Sequence, residues 1–202
     1  MMLRSYSLLF LASVLAVAVA QDTARTPLAL NSARVSIAGT SNIHTYTAST
    51  TTVRLTRVQV AAPVAGANFW EEVVKPGQLE AFEIVIPAAT LTSPKEGLDK
   101  NMQKALKAQE FPDITFRLLR TTAGTNGGAL NAVGVLKIAG VEREVTLTLK
   151  TERQDAGLLV KGELGLLMTD FNIKPPVAML GMLKTDPKVV ITFETVLGVP
   201  LT

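Results

Sequence analysis

The stretch NAVGVLKIAGVEREVTLTLK, residues 131–150, decides the fold that the sequence predicts. Its second half alternates apolar and polar positions and sets Val145, Leu147 and Leu149 on one face, which is the period of a β-strand. The first half is apolar on both faces and meets the second half at a short turn around Gly140. A turn this short joins antiparallel neighbours, because a parallel crossover needs about a dozen residues or more. The stretch therefore predicts an antiparallel hairpin.

The same period, carried by Val, Ile, Leu and Thr, recurs along the chain. The further segments that show it are 33–39, 51–60, 78–87, 113–120, 158–168 and 188–196. Short glycine-containing turns separate the later segments, so we expect the second half to be a β-meander. Seven or eight such strands form a sandwich or a barrel. Because some segments are apolar on both faces, the pattern favours a closed barrel, and about eight strands leave room for one ligand.

One segment, residues 91–112, departs from this period and predicts a short amphipathic helix over about 94–109. Ser93 is the predicted N-cap, and Glu96 would close a capping box. Pro112 ends the helix, because the residue before a proline avoids helical backbone angles. The apolar residues that fall on one helical face are Leu98, Met102, Ala105 and Leu106. We expect this face to cover one end of the barrel.

The first 20 residues, MMLRSYSLLFLASVLAVAVA, have the pattern of a secretory signal peptide. Arg4 precedes an uncharged apolar run that ends in the small residues Ala18-Val19-Ala20. The run is shorter than the roughly 20 residues that a membrane span needs. The sequence thus predicts a signal peptide over 1–20, one domain over 21–202, a periplasmic or secreted location, and no stable membrane span after cleavage.

The composition excludes several chemistries. The chain has no cysteine, which rules out thiol catalysis and zinc–thiolate sites, and it has a single histidine, His44. A triad or a metal site needs several such groups together, and the carboxylates show no ligand spacing. The formal charge is +3 and no basic run could follow a phosphate backbone, so we do not expect a nucleic-acid partner. Because the ligand groups are missing, we also expect neither a cofactor nor a metal. A hydrolase using His44 or Asp170 is a weaker alternative, since Asp170 fits a turn in MTDFN.

The segment NIKPPVAMLGMLKTDPK, residues 172–188, is a loop rich in proline and methionine before the last strand. Met179, Leu180, Met182 and Leu183 give it a pliable apolar surface. Methionine suits sites that adapt to a flexible apolar ligand. A loop packed over the end of the barrel is an equally good interpretation. A lid would both pack over the barrel end and contact the ligand.

Five stretches together resemble the YceI-like, lipocalin-like family of polyisoprenoid-binding proteins. They are GTSNIHTY, GLDKNMQKALKAQEFPDITFRL, AVGVLKIAGVEREVTLTL, LLMTDFNIKPP and KVVITFE, spread from about Ala29 to Val196. The most specific are the helix that runs into FPDITF and the pattern G-x-L-x-I-x-G-V that begins at Gly134. The family's usual D-x-x-H-S and R-D-x-H-L stretches are absent, and only His44 matches a family histidine.

The resemblance implies an exported, lipocalin-like antiparallel β-barrel of eight strands whose apolar interior holds a long isoprenoid or similar lipid. It implies lining positions rather than a catalytic set. Carried over to this chain, the implied ligand-binding residues are Phe82, Ile84, Phe116, Leu118, Leu136, Leu147, Leu164, Leu166, Phe171 and Phe193. We expect His44 to be a strand residue near the barrel wall, hydrogen-bonded to neighbouring hydroxyls or backbone, and its remaining functional role would be a contact for a polar head group. The leading hypothesis is therefore a lipid-binding protein and not an enzyme.

One alternative comes from a different class, a structural or stress-related envelope protein whose barrel is filled by its own side chains. Large residues at most inward positions would favour it, and a continuous tunnel would argue against it. The sequence leaves a homodimer open.

Overall fold

The computed structural model describes residues 28–61, 68–124, 129–155 and 157–199. The predicted signal peptide over 1–20 and most of the glycine-rich turn at 124–128 lie outside these ranges. The described strands are β1 (Ala29–Ser41), β2 (Thr45–Thr50), β3 (Arg54–Val60), β4 (Leu79–Pro87), β5 (Asp113–Ala123), β6 (Ala129–Ile138), β7 (Val141–Gln154), β8 (Gly157–Leu167), β9 (Val177–Ala178) and β10 (Leu183–Gly198). The described helices are α1 (Phe69–Val73) and α2 (Glu96–Ala105).

Nine strands form one antiparallel sheet in the order β2-β1-β10-β8-β7-β6-β5-β4-β3, and the two-residue β9 pairs with β10. The sheet curls into a half-barrel, so the predicted all-β, lipocalin-like fold is confirmed. From β4 to β8 each strand pairs with the next in the chain, which is the predicted meander. About eight strands were predicted and the main sheet has nine, because β1 and β2 are two strands that form a hairpin of their own.

The half-barrel does not close through a ladder, which corrects the expectation of a closed barrel. Its edge strands, β2 and β3, are consecutive in the chain, yet the described ladders pair β2 only with β1 and β3 only with β4. The seam is bridged instead between Ser49 and Thr92. The Ser49 N–H donates to the Thr92 carbonyl at 2.8 Å, and the Thr92 N–H donates back to the Ser49 carbonyl at 3.0 Å. This bridge ties β2 to the segment that leads into α2.

The helix that follows β4 is shorter than the predicted 94–109, because it spans Glu96–Ala105 and Lys107 beyond its end has a positive φ. The N-cap of α2 is Lys95, whose backbone is extended, and not Ser93. Ser93 Oγ accepts the Lys95 N–H at 3.1 Å, a local bond that makes a serine turn rather than a helix start. The Asp99 carboxylate accepts the Ser93 N–H at 2.8 Å. Glu96 therefore closes no capping box and pairs with Lys100 at 2.7 Å.

The two stretches that carry most of the family resemblance pack on each other. Ala139 and Gly140 both have positive φ and form the two-residue turn between β6 and β7. Such a turn needs positive φ at both positions, which glycine adopts without strain. Phe111, which follows α2, lies so close to Gly140 that a Cβ there would come within 2.6 Å of its ring. The contact anchors the end of the α2 segment to the β6–β7 turn.

Two apolar clusters hold the half-barrel together. The larger lies where α2 and the segment after β4 cover the inner faces of β4, β5 and β6, and it includes Leu91, Leu106 and Phe116. The smaller closes the opposite end, where α1 places Trp70 and Val73 against Leu28, Leu158 and Leu197. The Arg153 guanidinium covers the Trp70 ring at 5.7 Å from its centroid. We call this the closed end.

Candidate functional site

A cavity of about 640 Å³ runs through the interior of the half-barrel. Side chains from β1, β2, β4, β5, β6, β7, β8, β10 and α2 line it. The volume falls within the roughly 300–1,000 Å³ that is usual for small-molecule sites. On β7 the inward residues are half-buried, and so are Leu164 and Leu166 of β8 and Ile191 and Phe193 of β10, which fits side chains that face open space.

The structure brings ten of the eleven residues predicted for ligand binding to the wall of this cavity. They are Phe82, Ile84, Phe116, Leu118, Leu136, Leu147, Leu164, Leu166, Phe193 and His44. The remaining one, Phe171, lies in a short 3-10 turn after β8. It is 2% exposed and packs in the larger apolar cluster, off the cavity wall. Contact between these residues and a ligand stays a prediction.

The cavity stays open because aromatic side chains lie flat on glycines of the neighbouring strand. The Phe193 ring covers Gly162, its cross-strand partner on β8. The Phe116 ring covers Gly134 on β6, where a Cβ would also approach the Arg117 carbonyl at 2.6 Å. A larger residue at either glycine would force the ring away from the wall. These two glycines therefore keep bulky rings out of the interior.

The mouth of the cavity lies between the β1–β2 turn and the first half of α2. Every exposed residue on the cavity wall belongs to this region; they are His44, Thr45, Thr47, Pro94, Lys95 and Asn101. At the opposite end the lining residues are buried or half-buried, because the closed-end cluster covers them. The described cavity is thus a pocket with a polar mouth and an apolar body.

Electrostatics at this wall favour a cargo whose body is uncharged. Among the described lining residues none is acidic, and Lys95, at the mouth, is the one fixed charge. Tyr46 also lines the mouth, and its ring lies over Gly39, its partner on β1. Burial, and secondarily the negative charge of Asp186, raises the pKa of the Tyr46 phenol. The hydroxyl therefore stays protonated at neutral pH and can donate a hydrogen bond.

His44 lies in the turn between β1 and β2 rather than within a strand, and it is exposed. Its backbone N–H donates to Ser41 Oγ at 3.1 Å, and its carbonyl accepts from the Ser41 hydroxyl at 2.9 Å. The bonding to a neighbouring hydroxyl that we expected for His44 is thus made by its backbone. Asp170 is exposed in the 3-10 turn after β8, as its interpretation as a turn residue implies.

Acidic side chains are dispersed in the described ranges, and the helices there are short. Within them, no three side chains of His, Asp or Glu converge in a way that could hold a metal ion. None of the helices there combines the length and apolar character needed to cross a membrane. The carboxylate pairs of the sequence face solvent, where Glu142 lies 3.6 Å from Lys137 and Glu144 lies 3.7 Å from Arg120.

The polar residues of the mouth other than His44 were not predicted from the sequence. Tyr46, Lys95 and Asn101 come from β2 and α2, which the Ser49–Thr92 bridge brings together. No local sequence pattern predicts such a long-range contact. Ile37 and Ile191 on the cavity wall were also left out, although the period of their strands places them on the inner face beside Phe193.

Residues 29–197 match the family of YceI-like domains, which covers most of the chain. No curated protein matches the chain.

Solved structures have the same fold. The chain is similar to BcnA of Burkholderia cenocepacia, with a TM-score of 0.64 and 17% identity over 82% of this chain and 96% of that one. It is also similar to a polyisoprenoid-binding domain from Saccharophagus degradans implicated in plant cell wall breakdown, with a TM-score of 0.63 and 11% identity over 87% and 99% of the two chains. A YceI protein of Campylobacter jejuni aligns with a TM-score of 0.52 and 14% identity over 75% and 85%.

Proposed function

The chain belongs to the YceI-like domain family, and from that premise we propose that it is an exported lipid-binding protein. It holds the long apolar chain of an isoprenoid-type lipid inside the half-barrel and is not an enzyme. The single observation that carries the proposal is the cavity of about 640 Å³, lined almost entirely by apolar side chains. The naming of a relative as a polyisoprenoid-binding domain adds support.

Binding is driven by the removal of apolar surface from water. Each methylene buried in a dry apolar site contributes about 0.8 kcal/mol. A charged group inside would need a partner, and the described lining residues offer no carboxylate and only Lys95 as a fixed charge. The cargo therefore has an apolar body with any polar group at one end.

The polar end of the cargo lies at the mouth. The Tyr46 hydroxyl, the Lys95 ammonium, the Asn101 amide and the His44 imidazole surround this position and supply donors that can meet a carbonyl, hydroxyl or phosphate oxygen. The lipid would thus sit with its tail toward the closed end, where Trp70 and its neighbours stop it. A protein with a side-chain-filled barrel would lack such a space.

Export is the second part of the proposal, supported by the signal-peptide pattern of residues 1–20. One preparation tests both parts: the protein is purified without detergent from the envelope or medium of its native host and extracted with organic solvent. Mass spectrometry should find a long-chain lipid in the extract, and the intact mass should correspond to a chain beginning at Gln21. Repeated extracts without lipid would contradict the binding proposal, and an uncleaved chain would contradict export.

A further inference from the structure

Four exposed apolar side chains form a patch beside the cavity mouth. Within the described residues, seven large hydrophobic side chains are exposed, and Ile43, Val177, Leu180 and Met182 are four of them. Leu180 is fully exposed at 104%, and Met182 is exposed at 65%. We call these four residues the apolar tip. Contiguous exposed apolar surface of this kind marks a place where a protein meets another apolar phase.

Hydrogen bonds hold the apolar tip as one unit, although it comes from two loops far apart in sequence. The Asn42 amide donates to the Met182 carbonyl at 2.8 Å and accepts the Lys184 N–H at 2.8 Å. The Asn42 N–H also donates to the Lys184 carbonyl at 3.1 Å. Ile43, the next residue, is therefore fixed beside the loop that carries Leu180 and Met182. The two loops are thus joined and project together.

The charges around the apolar tip favour an anionic surface. Lys174, Lys184 and Lys188 flank it and are exposed, and Lys95 lies across the mouth. None of these lysines takes part in the ion pairs found among the described residues. The acidic residues on the same segments are Asp99, Asp170 and Asp186, together with Glu96, which Lys100 neutralises. The lysines outnumber the free carboxylates, and long lysine side chains reach headgroups while apolar neighbours insert.

From this juxtaposition of apolar tip, lysines and cavity mouth, we propose that the protein docks on the surface of a lipid bilayer that carries anionic headgroups. Ile43, Val177, Leu180 and Met182 insert into the interface and bring the mouth, at His44 and Lys95, against the membrane. The inference rests on the proposed function in one respect: a bilayer is the source and destination of a lipid cargo. Docking lets that cargo pass without crossing open water.

The test is sedimentation of the purified protein with phosphatidylcholine vesicles, with and without phosphatidylglycerol. The wild type should bind the anionic vesicles, and added salt should weaken binding, since salt screens the lysines. The double variant Leu180→Asp/Met182→Asp should lose about tenfold or more in partitioning, because it replaces two inserted apolar side chains by carboxylates. The charge-matched control is Leu119→Asp/Val199→Asp, which alters two exposed apolar residues outside the tip and should bind as the wild type does. Circular dichroism confirms that each variant is folded.

A second measurement, uptake of a fluorescent long-chain lipid delivered from cyclodextrin, separates docking from cargo binding. If the wild type does not bind vesicles, or if the double variant binds as well as the wild type, the docking proposal is overturned. It is also overturned if the double variant merely converts a dimer into a monomer while vesicle binding is unchanged. Vesicle binding without lipid uptake would overturn the proposed function and leave docking intact. Uptake retained in the double variant, with docking lost, is the result that we expect.

Discussion

The two ends of the half-barrel are built on opposite principles. At the closed end, α1 places Trp70 and Val73 in a buried cluster with residues from β1, β8 and β10. At the mouth, α2 has no fully buried residue within its own span, and apolar side chains such as Leu180 project into solvent. Burial stabilises the first end, whereas the second leaves its apolar surface uncovered. The contrast indicates that ligand exchange takes place at the mouth, whereas the closed end keeps its apolar residues buried.

The largest expected effect is on stability at the closed end. Trp70→Ala removes a buried ring that contacts Phe69 edge-on at 5.0 Å and lies under Arg153, so it should lower the free energy of unfolding by about 3–5 kcal/mol. Met182→Ala at the mouth is exposed and should change it by about 0.5 kcal/mol or less. Denaturant unfolding followed by circular dichroism measures both. Equal losses in the two variants would break the contrast between the ends.

A smaller effect is expected on the body of the cavity. Gly162→Ala should push the Phe193 ring off the wall of β8 and into the interior, which lowers the affinity for a long-chain lipid about tenfold, by analogy with the cost of overpacking. Gly165→Ala is the matched control on the same strand, because a Cβ there meets nothing within 4 Å. Titration with a fluorescent lipid compares them. Adding Phe193→Leu to Gly162→Ala should restore binding, and failure to do so would disprove this account of the open interior.

The smallest effect concerns Tyr46 at the mouth. In the folded protein its pKa lies above 10.0, since burial and the Asp186 charge disfavour the phenolate. The folded state then holds its proton where the unfolded state releases it, so this residue contributes stability that is lost as the pH rises above about 10. In protein beginning at Gln21, Tyr46 is the sole tyrosine, and an ultraviolet titration reports it directly. Asp186→Asn should lower the apparent pKa part of the way, and an unchanged value would remove Asp186 as a cause.

The sequence predicts most of this fold because the strand period is directly visible in it. Apolar and polar residues alternate in β5 and β7, and from β4 to β8 each strand pairs with its neighbour, as at Leu147 and Ala132. The strand β2, which was not predicted separately, reads TYTAST. Its small and hydroxyl-bearing residues give no apolar alternation, and it becomes a strand through pairing with β1. The prediction of Ser93 as the N-cap of α2 was wrong, because the Ser93 hydroxyl makes a hydrogen bond in a local turn.

The cavity wall could be predicted for the same reason as the strands. Phe193 and Leu147 follow the period of their strands and point inward together with their neighbours. Phe171 does not follow it, because a 3-10 turn begins at Met168 and directs the ring into the core. The mouth could not be predicted, since Tyr46 and Lys95 meet only when the curled sheet brings β2 beside α2.

The central claim is that a lipid occupies the interior, and lipid recovery from a matched pair of variants tests it most directly. Leu147→Trp places a large ring on the cavity wall, whereas Thr146→Trp places the same ring on the exposed face of β7. Both are purified from the native host and extracted beside the wild type, and the lipid is quantified per mole of protein by mass spectrometry. We expect equal lipid with the wild type and Thr146→Trp, and a several-fold loss with Leu147→Trp. Equal lipid in all three, or none in any, would contradict the claim.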